Sequence, residues 1–348
     1  MLVWDGYGLQ STHSGIGRHA FELAQELDKL GFGPQIIPSV SALDPAFDKW
    51  KADYANFPLS RVKPLSLLAA GYQARSLLAR SGAKKALFHG LSNYNIPVLP
   101  KAFRTVLTVH DLIPFLFPEG VSKNLHRYLS YQMPKALSRA DKIVCVSQWT
   151  ACSVQNQFPH VKDKILVIPN GKPAARFEHK ITNPDKVRLL TISRGETYKR
   201  LSLIPEMKKR LPKNFEWHVL TDGRGRTQMS SDPNIFFHQS LTDQAVEELW
   251  QHTDIHVHPS LWEGYCLPAV SALSFGIPTL YTGGSGVDEV TADAGVRLTA
   301  TDDVDDWADA ILAVAVDLQN YLHLAKEQWQ RLTAWPQVAG QLKTLYDT

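Results

Sequence analysis

Two cations five positions apart, Arg194 and Lys199, stand in TISRGETYKR (residues 191–200), directly after the apolar run LLTIS. A guanidinium and an ammonium converging on one spot suit a diphosphate, which they would neutralise in place of a metal ion. The alternative is a solvated charged turn between a strand and a helix. A carboxylate stands in a second stretch, WEGYCLPAVSALSFG (residues 262–276). There Glu263 lies in a loop after the strand-like IHVHPS, Pro268 suits the first turn of a helix and Gly276 suits its stop. The backbone of Gly264, Tyr265, Cys266 and Leu267 then sits at a helix N-terminus, where free N–H groups favour an anion. Beside it, a carboxylate can accept hydrogen bonds from sugar hydroxyls, although an ordinary capped loop would read the same way.

The first half of the chain offers two further stretches. SGIGRH (residues 14–19) puts Gly15 and Gly17 at the start of a helix that follows a strand, so backbone can approach a ligand closely. A tight turn would use the same glycines. TVHDLIP (residues 108–114) places His110 and Asp111 just past the strand-like TVLTV, on the rim where α/β proteins bind ligands. A loop-anchoring His–Asp pair is the alternative. His252, His256 and His258 invite a metal reading, but no fitted carboxylate or cysteine pattern accompanies them, and no metal site is expected. DDVDD (residues 302–306) follows Thr301 and reads as the acidic first turn of a helix. The basic stretch from residue 60 to 85 could lie on a membrane surface or a phosphorylated acceptor, but a solvated helix face is the preferred reading.

The elements that must position these groups alternate along the chain. LVWDG, PQIIPS, KALFHG, TVLTVHD, KIVCVSQ and ILVIPNG read as short strands closed by turn residues, with helical patterns between most of them. In the first helix Ile16, Phe21, Leu23, Ala24, Leu27 and Leu30 recur near helical spacing until Gly31 stops it. After the polar stretch 171–186 a second series follows: RLLTIS, FEWHVLTDG, NIFFHQ, IHVHPS, PTLYTGG and GVRLT. This is the rhythm of βα units on parallel sheets. The fold expected is α/β, with two Rossmann-like doubly wound domains facing a central cleft. Their bounds are 1–172 and 173–333, and a final helix over 334–348 returns to the first domain.

A chain of 348 residues is longer than one core usually serves, which agrees with two domains. The net charge of +3 is too small to argue for nucleic acid. Three cysteines, no apolar run of membrane-spanning length and a start unlike a signal peptide suit a cytoplasmic protein, at most at the inner face of a membrane.

Taken in order, these stretches resemble the retaining GT-B glycosyltransferases of family four nearly end to end. SGIGRHAFELAQEL is similar to that family's first Gly-rich loop and helix. VHDLIPFLFPE, ADKIVCVSQ and ILVIPNG resemble its signposts in the acceptor half and at the hinge, SRGETYKR its Arg–Lys diphosphate loop, LWEGYCLP its EGFGLP stretch, and WQRLTAWPQVAGQLKTLY its closing helices. The resemblance implies transfer of a hexose-type sugar, with retained configuration, from a nucleoside-diphosphate sugar to a saccharide or lipid-linked acceptor in cell-envelope glycan synthesis. No cofactor and no metal are implied. Peripheral membrane association is compatible with such an acceptor.

By the same resemblance Arg194 and Lys199 hold the diphosphate, and Gly15 and Gly17 approach the donor phosphates from the other domain. His110 contacts the donor sugar, Glu263 faces sugar hydroxyls, and Gly264 to Leu267 lend backbone N–H groups. The leaving phosphate itself takes the acceptor's proton. One position departs from the pattern. Ser271, eight positions beyond Glu263, stands where the family carries a second glutamate on the ribose. Glu289 keeps the acidic position of the family's PEV, with Asp288 in place of the proline. A non-catalytic sugar-nucleotide-binding scaffold is therefore the rival reading, and a nucleotide-sugar epimerase a third.

Overall fold

A computed structural model describes residues 1–38, 42–52, 63–177, 185–229, 232–299 and 303–348. The start of the basic stretch 60–85, part of the polar stretch 171–186, and Thr301 with Asp302 lie outside the described residues. The chain divides into two compact units, Met1–Gly171 with Thr333–Thr348, and Lys172–Leu332.

The first unit carries strands β1 (Leu2–Asp5), β2 (Gln35–Ile37), β3 (Ala86–Gly90), β4 (Phe103–Val109), β5 (Lys142–Cys145) and β6 (Ile165–Val167). They form one sheet in the order β2-β1-β3-β4-β5-β6, every pair parallel. Side-chain alternation sends Val3, Phe88, Leu107 and Ile143 to one face and Leu2, Trp4, Leu87, Val106 and Val144 to the other. On the first face lie the Lys63–Ser81 and Lys123–Arg139 helices, through Ala70, Ala74, Leu129 and Met133. The second is covered by the Gly15–Lys29 and Trp335–Asp347 helices, through Leu23, Leu27, Val338 and Leu342. The closing helix thus completes this core.

The second unit carries β7 (Val187–Ile192), β8 (Phe215–Leu220), β9 (Ile235–His238), β10 (Ile255–His258), β11 (Thr279–Thr282) and β12 (Gly295–Leu298). Their order is β12-β11-β10-β7-β8-β9, again all parallel. All twelve strands expected from the sequence are present. Chain order reverses direction beside β1 in the first sheet and beside β7 in the second. At such a switch point neighbouring loops diverge to opposite faces and leave a crevice at the carboxyl ends of the strands. In the second sheet the crevice lies between β7 and β10, whose following loops carry Arg194, Lys199 and Glu263.

Candidate active site

The loop after β7 is tied down before any ligand is considered. Gly195 donates its N–H to Asp222 Oδ1 at 3.1 Å and receives Gln228 Nε2 on its carbonyl at 2.6 Å. Leu261 N donates to Tyr198 O at 2.9 Å, which joins this loop to the one after β10. Arg200, next to Lys199 in the chain, has a separate task. It adopts a left-handed backbone (φ 51°), and its guanidinium donates to Pro259 O at 2.7 Å and Thr282 Oγ1 at 2.5 Å. Arg200 therefore braces the loops after β10 and β11.

Lys199 Nζ forms a short ion pair with Glu263 Oε1. His258, the last residue of β10, places Nε2 2.6 Å from the same oxygen. Both contacts fall on Oε1, and among the described residues Oε2 of Glu263 receives no hydrogen bond. The three side chains are all largely shielded from water. Burial alone would raise Glu263, but Lys199 and His258 outweigh it and hold its carboxyl well below the usual carboxylate range. Burial likewise disfavours the His258 imidazolium, yet the adjoining Cys266 sulfur and the Glu263 carboxylate push it up to about 9. Lys199 also stays above its ordinary value: burial opposes its charge and Glu263 overrides it. At neutral pH the cluster holds one negative and two positive charges, a net positive site.

The ligand atoms of His258, Glu263 and Cys266 lie within 4.8 Å of one another, the spacing of a metal cup. Lys199 occupies the same carboxylate oxygen and His258 keeps its proton, so a divalent ion would have to displace both cations. Arg194 is different again. It is exposed, and among the described residues its guanidinium makes no hydrogen bond or ion pair. The two cations share a loop, Lys199 buried on a carboxylate and Arg194 reaching into solvent.

The turn from Gly264 to Leu267 enters the Leu267–Ser274 helix through Cys266, whose φ of 74° is left-handed, with Pro268 in the first turn. Gly286 N donates to Glu263 O at 2.8 Å, and a Cβ on Gly286 would lie 2.0 Å from Gly264 O. Only glycine allows the loop after β11 to pack this closely on the Glu263 backbone. Tyr265 and Cys266 are buried, so this turn presents backbone and not side chains. Burial, and then Glu289, raise the Tyr265 phenol above its ordinary value. Ser271 is half-buried on the helix, and its carbonyl accepts Ser274 Oγ at 2.7 Å. Glu289 is exposed in the Val287–Thr291 helix, while Asp288 Oδ1 receives Arg297 Nε at 3.0 Å.

In the first unit Gly15 opens its helix and Ser14 caps it, accepting Gly17 N at 3.0 Å. A Cβ at Gly17 would lie 1.9 Å from Ser11 O, so the preceding loop folds directly over this turn. His110 follows β4. Its Nε2 lies 2.8 Å from Leu91 O, an acceptor, so Nε2 carries the proton and Nδ1 presents a lone pair. Burial lowers His110 to about 4, partly offset by that bond. Its backbone N donates to Asn93 Oδ1 at 2.7 Å, and Asn93 Nδ2 donates to Asp111 O at 2.9 Å. Asp111 Oδ1 in turn accepts Ile113 N at 3.0 Å, so this aspartate anchors its own loop.

The sequence reading overlooked two residues of this arrangement. His258 was weighed only for metal, although its place at a strand end five residues before Glu263 marks it as a neighbour of that loop. His19 lies edge-on to His110, ring centroids 5.1 Å apart, with Nδ1 2.7 Å from Asn170 Oδ1. Its signal was a histidine on the buried face of a helix, between Ile16 and Leu23. The other sites behave as simpler readings suggested. His256 is buried with Nδ1 3.1 Å from Thr279 Oγ1, and Asp303 caps the Val304–Val316 helix in a capping box with Asp306.

Comparison with known proteins places these features in a family. The model for Glycosyltransferase Family 4 matches residues 13–176, and that for Glycosyl transferases group 1 matches residues 186–317. The chain is 24% identical over 326 residues to O-antigen chain mannosyltransferase B of Escherichia coli, covering 81% of this chain and 82% of that protein. It is 22% identical over 299 residues to O-antigen chain mannosyltransferase RfbU of Salmonella typhimurium, covering 83% and 78%. Among solved structures it resembles a sucrose-phosphate synthase from Thermosynechococcus elongatus (TM-score 0.76, 14% identity, 99% and 98% covered). It also resembles WaaG, a glycosyltransferase involved in lipopolysaccharide biosynthesis (TM-score 0.72, 15% identity, 98% and 99% covered). With its two parallel six-stranded α/β sheets, the chain belongs to the family-4, group 1 glycosyltransferases and has their GT-B fold.

Proposed function

We propose that the chain transfers a mannosyl or closely similar hexosyl group, with retained configuration, from a nucleoside-diphosphate sugar to a saccharide or lipid-linked acceptor in cell-envelope glycan assembly. The observation that carries this reading is the Lys199–Glu263–His258 cluster beside the switch point, with Arg194 exposed on the same loop. The choice of sugar is supported by relatives that are O-antigen mannosyltransferases. The donor class is supported by structural neighbours solved with UDP-glucose and with ADP.

In this reading Lys199 and Arg194 hold the diphosphate and stabilise the charge that develops as it leaves. The Gly264–Leu267 backbone adds helix-end amides to the same anion. Glu263, fixed through Oε1, accepts a sugar hydroxyl on Oε2. Within the first unit, the lone pair on His110 Nδ1 and the close backbone approach allowed by Gly15 and Gly17 are assigned to substrate contact. Ser271 offers the ribose one neutral contact in place of a carboxylate. Glu289 and Asp111 lie beside these loops, Asp111 as an anchor. The reaction needs no metal, because the fixed cations supply the charge.

Thermal unfolding with UDP, GDP, ADP and CMP, each with and without EDTA, tests the donor site. A nucleotide at about 100 times its dissociation constant stabilises by about 2.7 kcal/mol. A shift with one nucleoside diphosphate that survives EDTA is the expected result. No shift with any of them would overturn the donor-site assignment. A specific observation, Ser271 in place of a carboxylate, favours a second reading as a sugar-nucleotide-binding scaffold. That reading requires binding without turnover for every acceptor offered.

A further inference from the structure

Strands β8 and β9 end the second sheet on the side away from β10. Alternation in FEWHVL (residues 215–220) and IFFH (residues 235–238) sends Trp217, Val219 and Phe237 to the core on one face. It leaves Glu216, His218, Phe236 and His238 to the other. Over β7 that other face is covered by the Asp243–Gln251 helix, whose Val246, Leu249 and Trp250 pack with Leu190. In register with Leu190 stand His218 on β8 and, beyond it, Phe236 on β9. Parallel sheets normally bury both faces under apolar side chains. Here the cover stops short: Phe236 is 39% exposed, and His218 and His238 are half-buried.

Between the helix and these outer strands lies a pocket of about 340 Å³. Its polar lining is His218, His238, His252, Glu248 and Arg188, and its apolar wall is Leu241, Ala245 and Leu249. Nδ1 of His218 lies 3.0 Å from Nε2 of His238, so one hydrogen bond joins the two rings. Nε2 of His218 is shut off from water and has no partner among the described residues. A ligand that bonds to such a nitrogen recovers the cost of leaving it unpaired. His252 Nδ1 is 2.8 Å from Glu248 O, an acceptor, so Nδ1 carries the proton and Nε2 presents a lone pair. Burial first, then His238 and Arg188, lower His218 to about 4, and burial lowers His238, so both imidazoles are uncharged at neutral pH.

We propose that this pocket binds one pyranose ring of a neutral saccharide, at a site separate from the crevice between β7 and β10. None of its lining residues belongs to the loops after those two strands. Hydroxyl groups both donate and accept, and uncharged imidazoles, a carboxylate and a guanidinium answer them in both senses. The apolar wall receives the C–H groups of the ring. The volume is at the small end for ligand sites, which suits a single ring. An anion is a poorer occupant, because the imidazoles are uncharged, Glu248 is at hand, and Arg188 Nε already lies 3.4 Å from Glu216 Oε2. A metal ion is poorer too: among the described residues only His258, Glu263 and Cys266 gather three ligand atoms at metal spacing. The assignment does not depend on which sugar the chain transfers or on its acceptor.

The test is titration of the full chain, labelled at histidine, with methyl α-mannopyranoside and with α-mannotriose. Imidazole signals are followed by NMR and assigned with His218→Gln and His252→Gln. The His218 and His252 signals should move saturably, with the glycoside if a free ring suffices and with the trisaccharide alone if the ring must belong to a chain. They should move equally with a nucleoside diphosphate present or absent. His252→Gln should weaken the binding seen at His218 by about tenfold. It should leave the thermal shift by nucleoside diphosphate intact, since His252 lies outside the crevice. No movement with either sugar, or movement confined to His110 and His258, would overturn the proposal. So would undiminished binding by His252→Gln. Perturbation of His218 and His252 by zinc chloride, with both sugars inert, would overturn it in favour of a metal site.

Discussion

The two units use buried histidine in opposite ways. In the first unit His19, His89 and His110 are buried among hydroxyls, amides and one another, and burial lowers them to about 3, 3 and 4. In the second, His258 is as deeply buried but adjoins Glu263, and it is raised to about 9. Burial acts with the same sign in all four. The Cys266 sulfur and the Glu263 carboxylate beside His258 decide the outcome, because together their attraction exceeds the cost of desolvating the imidazolium. Two sheets of the same architecture thus expose one neutral, hydrogen-bonding rim and one charged rim. The neutral rim suits hydroxyl groups and the charged rim suits a diphosphate.

The sharpest way to break this contrast is to remove the carboxylate. Glu263→Ala leaves Lys199 and His258 as adjacent buried cations, and should cost about 3–5 kcal/mol of stability along with sugar transfer. Urea unfolding measures the first quantity, and an unchanged midpoint would show that the charges are not coupled. Next in size is the dependence on pH. His258 has a folded pKa above its unfolded value of 6.5, so its contribution is complete below pH 6.5 and is lost as pH rises through about 9. That contribution is up to roughly 3 kcal/mol. The neutral histidines of the first unit have depressed values, so theirs is complete above pH 6.5 and is lost as pH falls towards about 4. Stability curves of the wild type and His258→Asn should diverge below pH 9 and converge above it; parallel curves would contradict the assignment.

Arg194→Ala separates binding from folding. The side chain is exposed, so stability should move by no more than about 0.5 kcal/mol. Loss of its charge-assisted hydrogen bonds should weaken nucleoside-diphosphate binding by about 1.5–3 kcal/mol in titration calorimetry. Unaltered affinity would remove it from the site. The smallest effect expected is that of Ser271→Glu, which should tighten nucleotide binding by about 1 kcal/mol if the serine is only a weaker ribose contact. Unchanged or reduced affinity would show that the ribose is held by other groups.

How much of this was legible in advance differs by kind of feature. Strands flanked by turn residues were legible because each is a local pattern: LLTI before Arg194 and IHVH before Glu263 each mark a strand by their own composition. Gly17 and Gly286 were visible as glycines, but the carbonyls that demand them, Ser11 O and Gly264 O, come from other segments. That Lys199 and not Arg194 pairs with Glu263 was not legible, because spacing within a loop says nothing about which cation a distant carboxylate will capture. His258 was seen and misjudged for a related reason: the Cys266 sulfur and the Glu263 carboxylate beside it favour its charged form, and both reach it only through the fold.

By itself the sequence determined the βα rhythm, the two series of strands, the residue types on each loop and the family resemblance, since these rest on local periodicity and on order along the chain. Tertiary structure alone decided the strand orders, and with them the switch points that bring loops after β7 and β10 together across 64 residues. It also decided the protonation states of four buried histidines and the division of labour among Arg194, Lys199 and Arg200. The physical reason is that desolvation and Coulomb attraction depend on distances between segments, and those distances exist only after the sheets have assembled.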